Sequence, residues 1–84
     1  MKKSIQTDEH MRLARMLRAR RHYVGLRQVD LCDRLSVNST FVSKYEKGER
    51  RLDLIELREV CIALDTTLVE FVSEFERTRI NAKP

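Results

Sequence analysis

The chain has 84 residues, 36% of them charged, a net charge of +4, two glycines, one proline and two cysteines. That length holds one small domain with a modest core, and scarce Gly and Pro beside frequent Leu, Arg and Glu argue for an all-α architecture. No apolar run approaches the ~20 residues that span a bilayer, and MKKSIQTDEH has no hydrophobic segment behind its lysines, so it is not a secretory signal; the expectation is a cytoplasmic protein.

The spacing predicts a flexible segment over 1–7, a domain over 8–76 and a flexible tail over 77–84. A first helix runs from about Asp8 to Tyr23, with Thr7 or Asp8 as cap and Gly25 as stop. Leu13 and Leu17 form its buried stripe, assisted by Met16 and Val24, and Arg12, Arg15, Arg18 and Arg20 spread over its remaining surface.

Residues 28–47, QVDLCDRLSVNSTFVSKYEK, read as two short helices joined by a tight turn. Leu31, Cys32 and Leu35 share one helical face, with the small Cys32 at the helix crossing. Ser36 and Val37 break the pattern, and Val37 is expected to plug the gap. Asn38 is a good N-cap for the next helix. There Val42 and Tyr45 turn inward, and Gly48 ends the helix. The wheel leaves Thr40, Ser43, Lys44 and Lys47 outward, with Ser39 and Phe41 on the flanks. A short helix with hydroxyls and lysines outside suits a DNA major groove.

A fourth helix opens with the capping-box pair Asp53 and Glu56, and turns Leu57, Val60, Cys61 and Leu64 inward. Asp65 stands where a left-handed residue is needed, a conformation that Asp tolerates. A fifth helix opens with Thr67 and Glu70, again a capping box, and buries Leu68 and Phe71, with Val72 and Phe75 beside them. Cys32 and Cys61 fit as core thiols. His10 and His22 have no partner at metal-ligand spacing and no Gly-rich phosphate loop occurs, so neither metal, cofactor nor enzymatic activity is expected. Residues 1–51 carry +7 and residues 52–84 carry −3, which points the basic half towards DNA.

The run LRARRHYVGLRQVDLCDRLSVNSTFVSKYEKGER resembles the phage Cro/repressor-type helix-turn-helix family, also called the xenobiotic-response-element family. The likeness rests on Leu17, Arg18, Arg21, Gly25, Leu26, Gln28, Leu31, Leu35, Val37, Val42, Ser43, Lys44, Glu46, Gly48 and Arg50, and continues to Phe71. Three positions depart from it: Arg27 replaces a capping Thr or Ser, Ser36 replaces the turn Gly, and Leu52 stands near a usual Pro. The resemblance implies a five-helix, lambda-repressor-like domain that binds double-stranded DNA. It also implies an ion pair between Arg21 and Glu46, and a Gln28 that meets a phosphate and braces the next helix.

The expected contacts with DNA are Gln28, Asn38, Ser39, Thr40, Phe41, Ser43, Lys44, Lys47, Arg50 and Arg51. Ser39 and Thr40 occupy the first turn, where base contacts concentrate. Lys44 can reach guanine or a phosphate. Phe41 can meet a thymine methyl or a sugar, or pack on a neighbouring helix. Lys47, Arg50 and Arg51 suit phosphates, with Glu49 either weakening that patch or orienting an arginine. The overall expectation is a repressor or operon controller that binds a palindromic operator as a homodimer, with Phe71, Val72 and Phe75 as candidate interface unless Phe71 only closes the core. The competing readings are a protein-interaction module, such as an antitoxin bound to a toxin, and a coactivator adaptor.

Overall fold

The computed structural model describes residues 7–78. Five helices follow in order: α1 Asp8–Val24, α2 Gln28–Leu35, α3 Phe41–Glu46, α4 Leu54–Ala63 and α5 Leu68–Arg77. Segments 1–6 and 79–84, where flexibility was expected, lie outside the described residues. Helix α5 runs to Arg77, and Arg12 bonds both the carbonyl and the hydroxyl of Thr78.

Each helix end has a chemical cause. Thr7 Oγ1 accepts from His10 N at 3.1 Å to open α1. Gly25, at φ +88°, closes it by donating to the Arg21 and His22 carbonyls. Arg27 has no acceptor with which to cap α2, but Asp30 takes over. Its carboxylate receives the Arg27 backbone N–H at 2.8 Å and the guanidinium at 2.9 and 3.0 Å. These charged bonds hold the Asp30 pKa down to about 2, the guanidinium contact being the larger cause. Ser36 and Asp65 adopt the expected left-handed conformation, at φ 58° and 62°.

The start of α3 differs from the expectation. Asn38 Oδ1 accepts from Thr40 N at 3.0 Å, and Phe41 N donates to the Asn38 carbonyl, so the opening turn is tight. Regular helix begins three residues beyond Asn38, at Phe41. At α4 the capping box is complete: Glu56 N donates to Asp53 at 2.7 Å and Asp53 N to Glu56 at 3.0 Å. At α5 it is half made. Thr67 caps Glu70 N, but Glu70 Oε1 accepts from the Thr66 hydroxyl.

The core joins Leu17 of α1, Leu31 and Cys32 of α2, Val42 and Tyr45 of α3, Val60, Cys61 and Leu64 around α4, and Phe71 of α5. Both cysteines are free and buried, and burial pushes the Cys61 thiol up to about 11. Val37 does not plug the turn; it is exposed, and Phe41 and Leu35 pack against the core beside it.

Arg12 is the main correction on α1. It is 7% exposed rather than spread on the surface. Its guanidinium donates to the Phe75 carbonyl at 2.9 Å and stacks on the Phe75 ring at 3.9 Å. Arg20 donates to the Leu64 and Asp65 carbonyls, and Arg34 to the Ala63 carbonyl. Three arginines therefore satisfy, from other helices, the carbonyls that the ends of α4 and α5 leave open.

Candidate nucleic-acid interface

Helix α3 is held from behind. Arg21 Nε donates to Glu46 Oε2 at 2.7 Å and Nη2 to Oε1 at 2.9 Å. The two side chains are only 7% and 4% exposed. The Glu46 hydrogen bond pushes the Arg21 pKa further up, outweighing desolvation by burial. Gln28 Nε2 adds a third bond to Glu46 Oε1 at 3.0 Å, and Arg21 Nη1 donates to the Leu26 carbonyl. One carboxylate thus anchors α3 to α1 and to the start of α2. The hydroxyl of Tyr45 is buried without a hydrogen-bond partner, and desolvation raises its pKa.

The outer side of α3 agrees with the wheel. Asn38, Ser39, Thr40, Lys44 and Lys47 are exposed, and Ser43 is half-buried with its hydroxyl bonded to the Thr40 carbonyl. Asn38 spends its side-chain oxygen on the Thr40 amide and hydroxyl, so it shapes the turn. Phe41 is enclosed: its ring meets Tyr45 edge-on at 5.7 Å, and the Arg50 guanidinium covers it at 4.6 Å.

Arg50 is tied to α4. Its guanidinium forms a bidentate pair with Glu56 at 2.9 and 2.8 Å and donates to the Arg51 carbonyl at 2.7 Å. A planar fork engaged in this way clamps the α3–α4 loop, while its Nε–H makes none of these bonds and the side chain stays 38% exposed. The Arg50 guanidinium, followed by the Asp53 backbone N–H, holds Glu56 well down, at about 2.

The positive surface that remains is narrower than composition suggests. Arg12, Arg21, Arg27 and Arg50 are engaged with carboxylates, and Arg20 and Arg34 with carbonyls. Among the described residues of the basic half, the cations with neither an ion pair nor a bond to a carbonyl of another helix end are Arg15, Arg18, Lys44, Lys47 and Arg51. Arg18 and Lys47 flank a concavity of about 250 Å³ that Gln28 and Glu46 complete. With Glu46 neutralised by Arg21, this cleft at the start of α2 is suited to a phosphate. Sequence reasoning missed Arg18 as a site residue, because only the packing of α1 on α3 brings it beside Lys47.

The α5 candidates divide between core and surface. Phe71 closes the core at 6% exposure, and Phe75 lies half-buried beneath Arg12. Val72 is 39% exposed.

Five helices, the second and third joined by a tight left-handed turn, and a polar face ringed by uncommitted cations define a helix-turn-helix DNA-binding domain. The helix-turn-helix domain family model matches residues 12–79, and the chain belongs to this family, as a DNA-binding transcriptional regulator of the XRE type. An XRE-family-like protein from Pseudomonas syringae pv. tomato is 35% identical. It superposes with a TM-score of 0.81, covering 89% of this chain and 92% of that one. The wild-type restriction-modification controller protein C.Esp1396I shares the fold at 19% identity and a TM-score of 0.78, over 86% and 95% of the two chains. The clp gene regulator ClgR from C. glutamicum does so at 23% and 0.71, over 83% and 88%. No curated protein matches the chain by sequence. Among the described residues no helix is long and apolar enough to cross a membrane, and no three His, Cys, Asp or Glu side chains cluster as metal ligands.

Proposed function

We propose that the protein is a homodimeric repressor or operon controller that binds a palindromic operator, each subunit laying α3 in a major groove. The half-sites are then one turn apart, about 34 Å. The observation that carries the reading is the outer face of α3, where Ser39, Thr40 and Lys44 are exposed and Lys47, Arg51 and Arg18 surround them without internal partners.

Lys44 supplies the longest reach to a base edge, with Ser39 and Thr40 as short contacts in the opening turn. Lys47, Arg51 and Arg18 hold phosphates, contributing affinity without sequence information. Gln28 and Glu46 fix the pitch of α3, and Phe41 with Arg50 fixes its far side. No long bidentate Gln, Asn or Arg lies on the outer face, so part of the selectivity comes from DNA shape.

Selection of bound sites from random duplex DNA tests the reading. The expected product is a palindrome, with a log–log salt slope of about −0.9 per phosphate neutralised. Lys44→Ala is expected to alter base preference at one position in each half-site. An asymmetric consensus, or binding insensitive to salt, counts against the proposal.

A further inference from the structure

His10, Leu13, Ala14 and Leu17 follow the i, i+3, i+4, i+7 spacing of one face of α1. This stripe meets Tyr45 of α3, and Arg50 and Leu52 of the α3–α4 loop, around a cavity of about 10 Å³. Most of the wall is apolar. Two of its polar atoms stand out. His10 Nε2 and the Tyr45 hydroxyl are both buried, and among the described residues neither has a hydrogen-bond partner, so they do not bond each other.

A buried polar group left unpaired is costly, and folded interiors pair nearly all of theirs. Here two unpaired groups line the same small space, so one bridging molecule satisfies both. A bound water needs about 10–15 Å³ of such space and two to four polar partners. The cavity reaches the lower bound of that range, which leaves no room for a larger ligand. The two side-chain atoms supply the partners. Arg50 lines the same cavity, and its Nε–H takes no part in the bonds to Glu56 and the Arg51 carbonyl. Water also suits the pair chemically. It donates to one group and accepts from the other, so it serves either tautomer of His10.

We propose that this cavity binds one water, which bridges His10 Nε2 to the Tyr45 hydroxyl and so ties the start of α1 to the back of α3. Tyr45 precedes Glu46, whose carboxylate is bonded to Arg21 and Gln28. Two successive residues then hold α3, one through a direct charged pair and one through solvent. The site lies within a single chain and does not depend on the homodimer reading.

The test is NMR of the isotope-labelled full chain, with NOESY and ROESY transfer from water. A water held in place gives cross-peaks of opposite sign in the two experiments. They are expected at carbon-bound protons, which do not themselves exchange: those of the His10 ring and the methyls of Leu13 and Leu52. Tyr45→Phe keeps the ring and removes the hydroxyl. It is expected to abolish these cross-peaks and to lower the folding equilibrium constant about fivefold in urea titration, the size of one net hydrogen bond. In a His10→Leu background the same change should alter that constant less than about twofold, because the water has already lost a partner. A dry cavity predicts the opposite sign. An unpaired buried hydroxyl costs stability, so Tyr45→Phe would then raise the urea midpoint and the native chain would show no such cross-peaks. Either result overturns the proposal. So does a cost of Tyr45→Phe that His10→Leu leaves undiminished, or a crystal structure placing His10 Nε2 within about 3.2 Å of the Tyr45 oxygen.

Discussion

Replacing Glu46 with Gln removes one charge from the buried pair that positions α3. In the native chain Glu46 accepts two bonds from Arg21 and one from Gln28, all between 2.7 and 3.0 Å, and both charges of the pair are more than nine-tenths buried. The variant keeps one acceptor oxygen for the guanidinium but turns an amide NH₂ towards another donor, leaving Arg21 with no compensating charge. Breaking a buried pair from one side costs about 3–5 kcal/mol. Since Gln retains part of the bonding, the expected loss is about 3 kcal/mol, a large share of the stability of a small domain. For a chain of this size that lowers Tm by roughly 15 °C. Urea unfolding followed by circular dichroism measures it, with an unchanged m-value as the sign that the two-state transition is intact. Exchanging both partners, Arg21→Met with Glu46→Leu, removes the uncompensated charge and should be much less costly than the sum of the single changes. A loss below about 0.5 kcal/mol for Glu46→Gln, the range of an ordinary surface substitution, would refute the assigned role.

Three further outcomes follow from the structure. Ser36 sits at φ 58°, so Ser36→Gly should relieve left-handed strain and raise stability by up to about 1 kcal/mol, read as a higher urea midpoint. Arg12→Met keeps the stem beside Phe75 but removes the guanidinium from the Phe75 and Thr78 carbonyls. It should cost about 2 kcal/mol and cost the last turn of α5 its hydrogen-exchange protection, with α2 and α3 little changed. Glu56 titrates near 2 instead of 4.5 when folded, chiefly through Arg50. The folded form therefore holds fewer protons between those values, and the contribution is present above about pH 4.5 and lost as the pH falls towards 2. Carboxyl NMR titration of Glu56 should show the low midpoint, and Glu56→Gln should flatten that part of the stability profile.

What the sequence determined by itself is local. The helix order, the caps at Thr7, Asp53 and Thr67, the left-handed turns at Ser36 and Asp65 and the outward set on α3 all depend on residues within one or two turns of each other. Periodicity and capping chemistry read such features directly. The contact between Arg21 and Glu46, 25 positions apart, came through family resemblance, because no local rule links them. The tertiary structure decided which arginines remain for DNA and which apolar faces remain for a partner. Arg12 and Arg20 looked like surface charges, but their long side chains reach across to carbonyls at the ends of other helices. Arg50, expected at a phosphate, also pairs with Glu56 and covers the Phe41 ring. Phe71, left open between core and interface, closes the core, and Leu54, Ile55 and Ile62 of α4 proved exposed opposite the side that Val60 and Cys61 bury. A helical wheel gives the angle of a side chain on its own helix, but the neighbour that meets it depends on how the helices are stacked.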